Sequence, residues 1–152
     1  MRRRRKAFTA AVVGCAALLA VGCSRQPHPT LNELKKIPAT SIVYPGSVGP
    51  GVGGSDSNNK FGVNAAIFER IQLTNDSAAQ VLTFYQQQLT DQGWTRDDAV
   101  AQGIAYLTQS WGWTMGKRRI SLGIIGGDYK ASFQQRLPQY AAYSTMYEVF
   151  LQ

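Results

Sequence analysis

From Ser77 to Gln92 apolar residues recur three and four positions apart. Ala78, Val81, Leu82, Tyr85 and Leu89 fall on one stripe of a helix, with polar residues on the rest of its surface. Ser77 and Gln80 have the spacing of a capping box, with Asp76 as a rival cap. Gly93 suits the left-handed position that ends a helix, and Trp94 is placed to fold back on the last turn. An apolar stripe of this kind needs a surface to lie on. The flanking segments supply one, because they alternate with the period of two that marks strands.

Six strand segments are expected. The first is Thr40 to Tyr44, ended by Pro45-Gly46. From Gly46 to Asn59 the chain is mostly Gly, Ser, Asn and Pro, which reads as a loop. In the second segment Phe61, Val63, Ala65, Ile67, Ile71 and Leu73 share one side, and Asn64, Arg70, Gln72 and Thr74 the other. Phe68 and Glu69 break that pattern, so a bulge or a sheet edge is expected there. After the helix come Trp94–Asp98, Tyr106–Met115, Lys117–Ile125 and Ala142–Leu151, with Gly116 turning between two of them. The order β-β-α-β-β-β-β predicts an α+β fold. A mostly antiparallel sheet of five to six strands would carry one main helix on one face.

The N-terminus constrains location instead of fold. Arg2 to Arg5 and Lys6 precede an apolar run from Ala7 to Gly22. That is a charged region followed by the hydrophobic core of an export signal. The run is shorter than the roughly 20 residues that span a bilayer. It closes on Ala20-Val21-Gly22-Cys23, which resembles the lipobox of bacterial lipoprotein precursors. Ala20 departs from the Leu commonest at its position. The resemblance implies cleavage between Gly22 and Cys23 and acylation of Cys23 with diacylglycerol and palmitate-type chains. Val12-Val13-Gly14-Cys15 is a second candidate, but it leaves a short apolar run before it and another after it. A plain secretory signal cut elsewhere is the other alternative. On the lipobox reading, residues 1–22 are the signal peptide, 23–38 the anchor and linker, and 39–152 a single domain. The domain would face the periplasm or the cell exterior, and Ser24 after the anchor permits sorting to an outer membrane.

Removing the leader changes the electrostatics. The whole chain carries +7, but five of its sixteen basic residues lie in residues 2–6. What remains is eleven basic against nine acidic residues. The positive stripe expected of a nucleic-acid-binding protein is absent. Cys15 leaves with the leader, and an acylated Cys23 has no thiol, so neither a disulfide nor a cysteine nucleophile is expected. His28, the one histidine, stands between Pro27 and Pro29 beside the anchor. This excludes histidine-dependent triads and dyads and the usual zinc sites from the domain. No metal or cofactor is expected.

The mature segment is also similar to small bacterial envelope lipoproteins. Tyr44-Pro45-Gly46-Ser47, Phe84-Tyr85 and Gly93-Trp94 carry that resemblance. The motifs are short and structural, and no activity follows from them.

Few motifs suggest chemistry. Gly49-Pro50-Gly51-Val52-Gly53-Gly54-Ser55 is glycine-rich, but it lacks the lysine and the following helix of a phosphate loop. Trp111 and Trp113 lie two apart on one strand face, where they serve either the core or, with Tyr106 or Tyr143, a stacking platform for a sugar. Lys117, Arg118 and Arg119 form a basic hairpin tip, read as a solvated turn or as a contact for anionic headgroups or polymers. Asp97 and Asp98 read as a polar turn. The expected role is non-catalytic: a membrane-anchored envelope lipoprotein that binds or scaffolds, with an envelope protein or polymer as partner. Glycan or small-ligand binding through Trp111 and Trp113 is the alternative. A third is a carboxylate-dependent hydrolase, favoured only if a pocket gathers two of Glu69, Asp97, Asp98, Asp128 and Glu148.

Overall fold

The computed structural model describes residues 29–56 and 65–152. The expected strand positions Phe61, Val63 and Asn64, and the anchor Cys23, lie outside the described residues. Six strands form one open, wholly antiparallel sheet. They are β1 (Val48–Ser55), β2 (Ile67–Thr74), β3 (Thr95–Arg96), β4 (Leu107–Met115), β5 (Arg118–Ile125) and β6 (Thr145–Leu151). Their order across the sheet is β1-β2-β6-β5-β4-β3. Three α-helical segments among the described residues accompany them: the one-turn α1 (Leu31–Leu34), α2 (Ala78–Asp91) and α3 (Gly127–Arg136). The fold is α+β, as expected, with differences in which segments supply its elements.

Helix α2 forms where its pattern predicts. The Ser77 hydroxyl accepts from the Gln80 N–H at 3.3 Å, and the Gln80 side chain accepts from the Ser77 N–H at 2.9 Å. At the other end Gly93 has φ +85°. The Trp94 N–H then reaches the Leu89 carbonyl at 2.9 Å, and the Gly93 N–H reaches that of Thr90. This pair of bonds satisfies two carbonyls that the helix cannot. Val81, Tyr85 and Leu89 are buried against the sheet with Phe68, Trp113 and Tyr147.

The opposite sheet face is covered too. Leu73, Ile125, Phe133 and Met146 form a second, smaller core beneath α3. The sequence reading contained no helix here. Only Phe133 of α3 is buried, so the segment has almost no apolar stripe to show. Burial on both faces also explains the broken alternation in β2. Phe68 enters the main core, while Ile71 and Leu73 pack on the second. No bulge is needed, and β2 pairs with β6 without interruption from Phe68–Leu151 to Thr74–Thr145.

Two further expectations are corrected. Thr40–Tyr44 is not a strand: Pro38–Ser41 is a 3-10 turn, and Ile42 runs on as unpaired extended chain. The first strand is instead β1, which falls within the segment expected to be a loop. Its residues pair with β2 through main-chain groups, which glycine carries as well as any residue. The side chains therefore left no strand pattern to read. Opposite Leu73 and Ile71 stand Val48 and Gly51, so the register breaks at Gly49-Pro50, where proline costs the ladder little. Gly54 has φ +136°, and a Cβ there would lie 2.2 Å from the Ile67 carbonyl oxygen.

The domain also begins earlier than expected. Leu34 and Ile37, assigned to the linker, are buried in the main core. Thr30 caps α1 in a reciprocal box with Glu33. Its neighbour Leu31 donates its N–H to the Asp56 carboxylate at 2.6 Å, just past the end of β1. The chain therefore enters the fold at Thr30, with only residues 24–29 between it and Cys23.

Candidate functional site

Entry at Thr30 fixes which end of the sheet lies nearest the anchor. Leu31 meets Gly54 and Asp56 at the end of β1, and Ser55 pairs with Ile67 at the start of β2. Across the sheet the same end holds Leu151 of β6 and Ile120 of β5, which pair with each other. It therefore also holds the turn from β4 to β5. Met115 pairs with Arg118 there, and Gly116 takes φ +61°, which closes the hairpin over two residues. Lys117, Arg118 and Arg119 are exposed at that tip. The basic cluster and the entry of the chain thus occupy one end of the molecule.

The tryptophans fall differently. Trp113 is completely buried in the main core and presents no face for stacking. Trp111 is half-buried against the same core. The Arg96 guanidinium lies 5.0 Å from the centroid of the Trp113 ring. The Trp113 indole N–H has no hydrogen-bond partner among the described residues.

The acidic candidates are engaged in local structure. Asp98 receives the Arg96 guanidinium at 2.6 and 2.9 Å and the Gly112 N–H at 3.1 Å. These contacts hold its carboxyl below the usual range, with the Arg96 hydrogen bond the largest cause. Asp97 accepts from the Ala99 N–H and caps a 3-10 turn. Asp128 lies in the first turn of α3.

Glu148 is the exception. It is completely buried in β6, on the α3 side of the sheet. The Tyr106 hydroxyl donates to its carboxylate at 3.0 Å, and the Tyr106 ring stacks on Tyr129 of α3 at 4.5 Å. Burial pushes the Glu148 carboxyl up to about 7, opposed by the Tyr106 hydrogen bond and reinforced by the charge of Glu69. Burial and the nearby Glu148 charge in turn push the Tyr106 phenol up. The signal in the sequence was a single acid within the apolar run of β6. Its partner, 42 residues away, could not be read from one strand.

The short motifs shared with envelope lipoproteins meet in space. Tyr44-Pro45-Gly46-Ser47 forms a turn closed by the Ser47 N–H on the Tyr44 carbonyl, with Gly46 at φ +72°. Tyr44 packs edge-on against Phe84 at 5.3 Å. The Tyr85 hydroxyl donates to the Ile42 carbonyl, and that of Tyr147 to the Ser47 hydroxyl. These residues tie the incoming chain to α2 and β6. Beside them an open groove of about 480 Å³ runs between Tyr44-Pro45 and Ala79, Gln80, Thr83 and Phe84.

Comparison with protein-family models, with curated proteins and with solved structures gave no match to this chain.

Proposed function

We propose that this chain is a lipoprotein of the bacterial envelope, anchored through Cys23, whose domain has a non-catalytic binding or scaffold role. The observation that carries the reading is the lipobox-like Ala20-Val21-Gly22-Cys23, followed after six residues by a chain already packed into a core. A domain attached so closely works at the membrane surface, on whatever shares that surface. The engagement of Asp97 and Asp98 in a turn, and the cover that Tyr106 gives Glu148, support binding over acid-base chemistry.

Fractionation of cells expressing Cys23→Ala tests the anchor. Two or more acyl chains hold firmly, at about 0.8 kcal/mol per buried CH₂. The natural protein is expected in membranes, and the variant as unprocessed precursor or released protein. A variant that is normally processed and still membrane-bound would contradict the reading.

A second reading, binding of a small ligand, gains support from the groove beside Tyr44 and Phe84, not from Trp113. Chemical-shift changes confined to Ala79, Gln80 and Thr83 on adding oligosaccharides or lipids would favour it.

A further inference from the structure

The position of the basic hairpin tip relative to the entry of the chain has a consequence for orientation. Residues 24–29 are the whole length between Cys23 and Thr30, and two of them are proline. At about 3.3–3.6 Å per residue they reach roughly 20–25 Å at most. Thr30 and Leu31 sit at the end of β1. From β1 to β5 is three steps across the sheet, about 14 Å at the usual strand spacing. The tip is thus no farther from the entry point than the tether is long, and it lies at the same end of the strands. Three consecutive basic residues stand there. Asp56, the acid at this end, is turned to the Leu31 N–H.

We infer that the Lys117-Arg118-Arg119 tip rests on anionic headgroups of the membrane that anchors the protein, so that the sheet stands end-on with its opposite end outward. The inference rests on acylation of Cys23. Tethering makes the contact intramolecular, so charges too few to recruit a free protein suffice to orient a bound one. Each charge near an anionic surface shifts such an equilibrium about fivefold. The end left outward carries the Tyr44–Ser47 turn and the Thr74–Ser77 corner. The groove beside Tyr44 and Phe84 adjoins it.

The experiment uses the full lipidated protein in vesicles. An acylated Cys23 leaves no thiol in the mature chain, so one introduced cysteine takes a fluorophore selectively. One label goes at Lys117→Cys, and another at Gln109→Cys, exposed near the far end of β4. Spin-labelled headgroup lipids quench whichever label approaches the surface. In vesicles containing phosphatidylglycerol, the label at 117 is expected to be quenched several-fold more than the label at 109. That difference should collapse in Arg118→Gln/Arg119→Gln, in neutral vesicles, and on raising salt from about 0.1 to about 1 M, which shortens the screening length to about 3 Å. Equal quenching at the two positions, or a difference indifferent to charge and salt, would overturn the inference. Failure of the protein to float with neutral vesicles would instead show that the anchor itself is wrong, and the inference would fall with it.

Discussion

Tyr106 and Glu148 form a buried phenol–carboxylate pair, 3.0 Å between their oxygens, on the side of the sheet that α3 covers. The carboxyl of Glu148 is pushed up from 4.5 to about 7, with burial the largest cause. The folded protein therefore holds a proton that the unfolded chain has already released. Stability from this group is fully present below about pH 4.5, is lost as pH rises toward 7, and stays lost above it. The shift corresponds to about 3 kcal/mol. Glu148→Gln keeps an acceptor for Tyr106 and removes the charge. Urea melts between pH 5 and 8 are expected to show a falling midpoint for the natural protein and a flatter one for Glu148→Gln, which should be the more stable at pH 8. Tyr106→Phe removes the bond that favours the charged form and should move the fall to higher pH. Parallel profiles for the natural protein and Glu148→Gln would show that Glu148 does not titrate in this range.

The buried stripe of α2 gives a graded prediction. Leu89 is buried, whereas Leu82 lies half-exposed at its margin. Leu89→Ala should cost about 2–5 kcal/mol and Leu82→Ala distinctly less. Denaturant melts measure both. Equal costs would mean that the helix is rotated about its axis from the position described.

Truncation tests the boundary of the domain. A soluble form starting at Thr30 retains Leu34 and Ile37, while one starting at Ala39 lacks both. Each large aliphatic side chain lost from a core costs about 2–5 kcal/mol, against a total stability of about 5–15 kcal/mol. The longer form is expected to melt cooperatively, and the shorter to be strongly destabilised or unfolded. Coincident melting curves would return residues 30–38 to the linker.

Two glycines in β1 separate strain from crowding. Gly51 has φ +117° with open space where a Cβ would stand, whereas Gly54 has φ +136° and would meet the Ile67 carbonyl. Gly51→Ala should cost about 1 kcal/mol from backbone conformation alone. Gly54→Ala should cost clearly more, because β1 must then move off β2. Were both neutral in thermal melts, the segment would be the loop that its composition suggests.

The parts of this fold legible in the sequence are those whose signal lies in side chains close together in the chain. Ser77, Gln80, Gly93 and the stripe from Ala78 to Leu89 specify α2 locally, and the structure places it there. Gly116 likewise marks the β4–β5 turn. What escaped detection is held by other forces. β1 is held by main-chain pairing to β2, and α3 by little more than Phe133 and a tyrosine stack. Leu34 and Ile37 looked like linker because one turn of helix has no period to recognise. Glu148 resembled a surface acid on an alternating strand until the second core showed that its face is covered. Trp113 was open to either reading, since a strand face is apolar whether it meets a core or a ligand. Its complete burial decides that position.

The most direct test of the account is the mass of the N-terminal peptide released from the membrane-bound protein. Anchoring through Cys23 requires that the mature chain begin at that residue and carry a thioether-linked diacylglycerol, with ester-bound chains removable by mild alkali. A mature chain that begins at any other residue, with the Cys23 thiol free to alkylate, would contradict it.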